Sequence, residues 1–204
     1  MADRLARAAM RLRWPGTILR ERAFSPTRPR GPAMQPRDVL EGWEELKEAL
    51  SLTQGGAVFF VVADDKGDAR MKERLRREGW ELVEEEIEVG LDPSSGRPTY
   101  RMPEYDALQR RLAGCRGVVL WLRLKGVEAA GHEGLFADRS VTPEASEELA
   151  RLARQVLQGI NLSREPLAEL GVPIVFSLTE DGLRSFATWA ADMFATRTLI
   201  IWGG

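Results

Sequence analysis

Apolar positions along the chain fall into two patterns. Unbroken runs at 57–63, 117–122 and 173–178 have strand length and mark strands covered on both faces, and 198–202 reads as a last strand. Between them, apolar residues recur every three or four positions, the spacing of amphipathic helices. The first helix runs from an Asp38 N-cap to about Leu50, with Val39, Leu40, Trp43, Leu46, Ala49 and Leu50 on one face. A second helix is expected over 68–78, closed by Gly79, and a third over 104–113, closed by Gly114. Pro143 opens a long helix over 143–158 that continues brokenly through 161–169. The last spans 180–195, with Leu183, Phe186, Ala187, Ala190 and Phe194 inward. Residues 80–89 alternate apolar and acidic positions as an exposed strand does, and 92–98 reads as a loop.

Strands alternating with helices need crossover connections, so the pattern predicts a mostly parallel sheet of five strands. The expected fold over 38–204 is a three-layer α/β domain, degenerate P-loop-like or Rossmann-like. No repeat at a fixed period is visible.

Ligands of such sheets lie at the carboxyl ends of the strands. The first strand leads into Asp64, Asp65, Lys66, Gly67 and Asp68. A phosphate-binding loop needs several glycines and a Lys-Ser/Thr pair, whereas this one has a single glycine and three aspartates that repel phosphate. No G-x-G-x-x-G is present either, which argues against standard ATP or NAD binding. The same carboxylates suit Mg²⁺; in the simpler reading Asp68 caps the second helix and the others sit in a solvated turn. The next buried strand leads to Arg123 and Lys125, where an ATP-hydrolysing fold presents an acid to magnesium. Two bases there suit an anion. The third leads to Thr179, an ordinary N-cap followed by Glu180 and Asp181. The candidate ligand-binding residues are therefore Asp64, Asp65, Asp68, Arg123, Lys125 and Thr179.

Composition narrows the chemistry. One Cys (Cys115) and one His (His132) in 204 residues allow no disulfide framework and no structural zinc site. No triad assembles around His132, so no catalytic residue, metal site or cofactor is expected. The lone thiol fits a reducing cytoplasm, and no run of about 18 apolar residues suggests a membrane span. The acidic run 84–88 reads as a solvated strand face. Arg outnumbers Lys 25 to 4, which points to a G/C-rich bacterial genome.

The net charge of −2 is a cancellation. Residues 1–37 hold nine Arg against Asp3 and Glu21, or +7, and five of the eleven Pro. The remaining 20 bases and 29 acids give −9. A Pro/Arg-rich stretch packs no core, so 1–37 is expected to be a flexible basic arm. Three readings stand for it: a tail for nucleic acid or an acidic partner, a transit peptide, or translation from upstream of a true start at Met34.

Five segments carry a resemblance: WEEL at 43–46, GAVFFVVAD at 56–64, NLSRE at 161–165, VPIVFSLT at 172–179 and ADMFATR at 191–197. Together they resemble an α/β domain of bacterial STAND-type (signal-transduction) NTPases and TPR-repeat proteins. In that family an LN-x-x-RE segment and an "apDfw-x-xRs" segment recur, and they map here to Asn161, Arg164, Glu165, Asp192, Phe194 and Arg197. The chain departs from the pattern in lacking the Walker A glycines and Lys, in placing Arg123 at the Walker B acid, and in having no repeat array. The resemblance implies an NTPase-like core without hydrolysis machinery that acts by protein contact. Asn161, Arg164, Glu165, Asp192 and Arg197 are then interaction residues. Alternatively an Asp192–Arg197 or Glu165–Arg197 ion pair fixes that corner. The expected role is a non-enzymatic signalling or assembly module in bacterial defence or stress signalling, with a protein partner. Nucleic acid enters only through the arm. The rival expectation is a nucleotide- or metal-dependent enzyme or binder using the loop after the first strand.

Overall fold

Four apolar runs become four adjacent strands of a six-stranded sheet, the last of them at its edge. The computed structural model describes residues 39–53, 55–131 and 142–203. The basic arm, Asp38 and His132 lie outside them. The strands are β1 (Val58–Ala63), β2 (Glu81–Leu91), β3 (Pro98–Arg101), β4 (Val118–Lys125), β5 (Ile174–Leu178) and β6 (Arg197–Gly203), in the order β3-β2-β4-β5-β1-β6. All neighbours pair parallel except β2 and β3, which are antiparallel. The helices are α1 (Val39–Leu52), α2 (Asp65–Arg77), α3 (Tyr105–Leu112), α4 (Pro143–Leu162), α5 (Arg164–Glu169), α6 (Glu180–Trp189) and α7 (Ala191–Ala195), with a 3₁₀ turn at Val127–Gly131.

The expected five-stranded sheet is thus corrected to six. The added strand, β3, is four residues long and mostly exposed, so it has no apolar alternation to betray it. It opens on Pro98, a residue tolerated at the start of an edge strand because no ladder donor is needed there. The hairpin before it is set by Asp92, whose carboxylate accepts from the backbone and hydroxyl groups of Ser94 and Ser95. Those donors hold its pKa down at about 2.

Two further expectations change. The helix expected over 180–195 is two helices that break at Ala190, whose φ of −125° and ψ of 45° leave the helical region. The second buried strand does not end at 122 but continues through Arg123 to Lys125, because Glu86 and Glu88 of β2 pair across from those bases.

Strand alternation divides the core. Phe59, Val61, Trp121 and Val175 face α1 and α2, packing on Trp43, Leu46, Leu50, Met71 and Leu75. Phe60, Leu122, Ile174 and Phe176 face the opposite way, against α3 through α7. Phe60 is central there: its ring centroid lies 5.4 Å from Phe176, 4.9 Å from Phe186 and 5.3 Å from Phe194. The crossover leaving β1 therefore lies on one face, and those leaving β4 and β5 lie on the other. Chains that part in this way open a crevice above the carboxyl ends of the strands.

Phe60→Ala removes a ring held by three others and is expected to cost about 3–5 kcal/mol in urea unfolding. Gly126 closes β4 at a φ of +72°, and a Cβ there would sit 1.9 Å from the Val89 carbonyl oxygen. Gly126→Ala is expected to cost about 2 kcal/mol or more by the same measurement.

Candidate functional site

The crevice is a cleft of about 660 Å³ with β4 as its floor. One wall is the first two turns of α2, carrying Asp65, Asp68 and Lys72. The other is β2, through Glu84, Glu85 and Glu86, together with Arg101 at the end of β3 and Met102 and Pro103 after it. Trp121, Arg123 and Lys125 rise from the floor because alternate residues of a strand share a face.

Asp68 is the buried centre of this arrangement, with 5% of its surface exposed. Its Oδ1 accepts from Trp121 Nε1 at 2.9 Å and from the Ser177 hydroxyl, while Lys72 Nζ lies 3.0 Å from Oδ2. Burial works against the charged form. The donors from Ser177, Lys72 and Trp121 outweigh it and hold the carboxyl below its ordinary value. Lys72 is opposed by burial too, yet its contacts with Glu84 at 2.8 Å and with Asp68 raise its pKa.

Arg123 is equally enclosed, with 7% exposed. Its Nη1 donates to the Ala63 carbonyl at 3.1 Å and to Ser177 Oγ at 2.8 Å. Its Nη2 donates to Asp65 at 3.0 Å, and Asp68 Oδ1 lies 3.8 Å from Nη1. Four elements meet on this one guanidinium: α2, β1, β4 and β5. Its buried Nε has no hydrogen-bond partner.

The glutamates of β2 are matched in turn. Glu84 pairs with Lys72 and Arg76, Glu85 with Arg111 on the opposite face, and Glu86 with Lys125 at 2.6 Å and Arg101 at 2.7 Å. The Lys125 contact is the main reason the Glu86 carboxyl ionises below its usual range. Among the described residues no group of three or more His, Cys, Asp or Glu is placed to share a metal ion.

Of the six ligand-binding candidates, Asp65, Asp68, Arg123 and Lys125 come together in the cleft. Asp64 and Thr179 do not line it. Asp64, not Asp68, is the N-cap of α2, accepting from Gly67 N at 2.7 Å, and Thr179 caps α6 by accepting from Gly182 N at 3.1 Å. The cap falls earlier than the expected Asp68 because α2 begins almost directly after β1. Lys72, Trp121 and Ser177 were not among the candidates. Each left a signal: Lys72 follows Asp68 by one helical turn, Trp121 shares parity with Arg123, and Ser177 is the polar residue of an otherwise apolar strand.

The remaining candidates form a corner at the amino ends of the strands. Asn161, near the end of α4, donates to Asp192 at 3.1 Å and accepts from Met193 N at 2.9 Å, supplying the cap that α7 lacks. The expected Asp192–Arg197 or Glu165–Arg197 ion pair is not what fixes this corner. Arg197 instead lies over the Phe194 ring at 4.1 Å and donates to the Phe194 carbonyl at 2.9 Å. Arg164 and Glu165 are exposed and lie 3.7 Å apart, and Leu162 beside them is 75% exposed. Trp202 is half-buried against the core.

Compared with known proteins, the chain matches no family model and no curated sequence. No described helix is long and apolar enough to cross a membrane.

Asp68→Asn leaves Lys72 and Arg123 without their buried counter-charge and is expected to cost about 3 kcal/mol at pH 7 by urea unfolding. Because the folded carboxyl ionises below the unfolded value of about 3.9, its contribution is complete above that pH and disappears as pH falls through the lower folded value. The gap between wild type and Asp68→Asn should therefore close in acid; a gap that stays constant to pH 2 contradicts the assignment.

Proposed function

We propose that this chain is a non-enzymatic module that acts in signalling or assembly through protein contacts, in bacterial defence or stress signalling. The observation that carries this reading is the corner at the amino ends of the strands. There Asn161 locks α4 to α7, and the lock holds Leu162, Arg164 and Glu165 out toward solvent on a fixed frame. An apolar side chain flanked by charges on a rigid support suits a protein partner, since little ordering entropy is lost on docking. The same segment supplies part of the resemblance to STAND-type NTPases, the basis for the cellular setting.

The first-strand loop supports the non-hydrolytic half of the proposal. A phosphate needs open backbone amides between strand and helix. In this chain Asp64 already accepts from the Gly67 amide, and a Cβ on Gly67 would stand 2.6 Å from the Gly203 carbonyl oxygen. A carboxylate and a neighbouring strand end occupy the position that phosphates take in an NTPase.

Replacing Leu162 by Asp and Arg164 by Glu together is expected to weaken capture of the partner from cells expressing the protein by about tenfold or more. The thermal midpoint should hardly change, because exposed substitutions usually stay within about 0.5 kcal/mol. Stabilisation by ATP, GTP or a dinucleotide with Mg²⁺ would overturn the proposal in favour of a nucleotide-dependent enzyme or binder. A ligand at a hundred times its dissociation constant adds about 2.7 kcal/mol.

A further inference from the structure

The guanidinium of Arg123 is fully held on one side and only half engaged on the other. Nη1 is fixed by the Ala63 carbonyl and the Ser177 hydroxyl, so the group cannot turn. The other edge, made by Nε and Nη2, is the planar fork that matches the two oxygens of a carboxylate. Only half of that fork is engaged. Nη2 donates to Asp65, while Nε is buried without a partner. Among the described residues that line the cleft, it is the one buried side-chain donor in this state. An unsatisfied buried donor calls for an explanation.

Asp65 supplies one. It is the first residue of α2, its side chain is 84% exposed, and among the described residues its one ion pair is to Arg123. It stands at the mouth of the cleft as a loosely held carboxylate on half of a two-oxygen site. We propose that the cleft receives a small organic monocarboxylate, which displaces Asp65 and takes both Nε and Nη2 of Arg123.

Charge and shape select this class of ligand. A monocarboxylate brings one negative charge to the place that Asp65 vacates, whereas a phosphate dianion would bring two toward Asp68 and Glu84. The acids along the walls are already paired with Lys72, Arg76, Lys125 and Arg101, so the Arg123 fork is where a new acceptor gains most. Ala69, Met102 and Pro103 offer apolar surface for a short hydrocarbon body, and 660 Å³ is ample for it. The proposal goes beyond the protein-contact reading and does not depend on it, because its experiment reads the cleft and not the corner.

The test is a titration of the full chain with sodium butyrate, at ionic strength held constant with NaCl, followed by the arginine Nε–H resonances in a ¹H–¹⁵N spectrum. The Arg123 signal is identified as the one missing from Arg123→Lys. A saturable shift of that signal is expected in wild type. Asp65→Asn, which removes the resident competitor, should tighten the butyrate dissociation constant about two- to five-fold, the change that corresponds to losing an exposed ion pair. Arg123→Lys keeps the charge and loses the fork, so binding read from α2 backbone amides should weaken tenfold or more. Should that variant fail to fold, the affinities of wild type and Asp65→Asn, both read from the α2 backbone amides, decide alone. The proposal is overturned by an unsaturated or chloride-matched shift, by inorganic phosphate binding more tightly than butyrate, or by Asp65→Asn leaving the affinity unchanged.

Discussion

The buried carboxylate of Asp68 is the constraint around which the domain closes. A charge at that depth costs several kcal/mol unless its neighbours donate to it, so every element that supplies a donor is held in place. β4 supplies Trp121, β5 supplies Ser177, and α2 supplies Lys72 from its next turn. Arg123 then extends the set to the last residue of β1. The register of the sheet depends on the same contacts. Arg123 stands directly opposite Ser177 in the β4–β5 ladder. A slip of one residue would turn one of them to the far face and break the Arg123–Ser177 contact that completes the set around the carboxylate. Hydrophobic burial gives the layers their cohesion, but it would tolerate several registers. The buried polar set tolerates one.

Charge also substitutes for packing farther along the sheet. Helices α1 and α2 pack on one face of the sheet, yet beyond α2 the strand β2 turns Glu84, Glu86 and Glu88 toward that side instead of apolar residues. Bases from three directions meet them: Lys72 and Arg76 from α2, Lys125 from β4, and Arg101 from β3. Individually such partly exposed pairs contribute little, about 0–1 kcal/mol each. Collectively they permit a sheet to end in solvent without presenting an apolar surface. Charges placed on the strands next to an edge also discourage pairing with another chain.

How much of this was legible depended on burial. The apolar runs of β1, β4 and β5 declare themselves, because a strand covered on both faces must be apolar throughout; β6, half-buried at the edge, still carries the apolar run 199–202. β3 could not do so, since a four-residue edge strand is held by a hairpin and not by its side chains. The break at Ala190 was equally hidden: residues 180–195 keep helical spacing across it, and the cap for the second helix comes from Asn161, distant in sequence. The site divided the same way. Asp65, Asp68, Arg123 and Lys125 are legible because they are the charged residues that follow the apolar runs. Ser177 and Trp121 are not, because inside a strand nothing local separates a packing residue from one that donates to a partner on α2.

The arrangement also decides what kind of ion the cleft favours. A divalent cation seeking Asp68 would approach a carboxylate whose Oδ1 is held by Trp121 and Ser177 and whose Oδ2 faces an ammonium at 3.0 Å. It would meet the Arg123 guanidinium 3.8 Å from the same carboxylate. Like charges this close in a partly desolvated setting repel by several kcal/mol, which a second carboxylate as exposed as Asp65 does little to offset. An anion meets the opposite field at the half-engaged edge of Arg123. Arginine at this position therefore does two things. It disfavours a cation at the strand end, and it supplies a donor that keeps Ser177 and β1 in place.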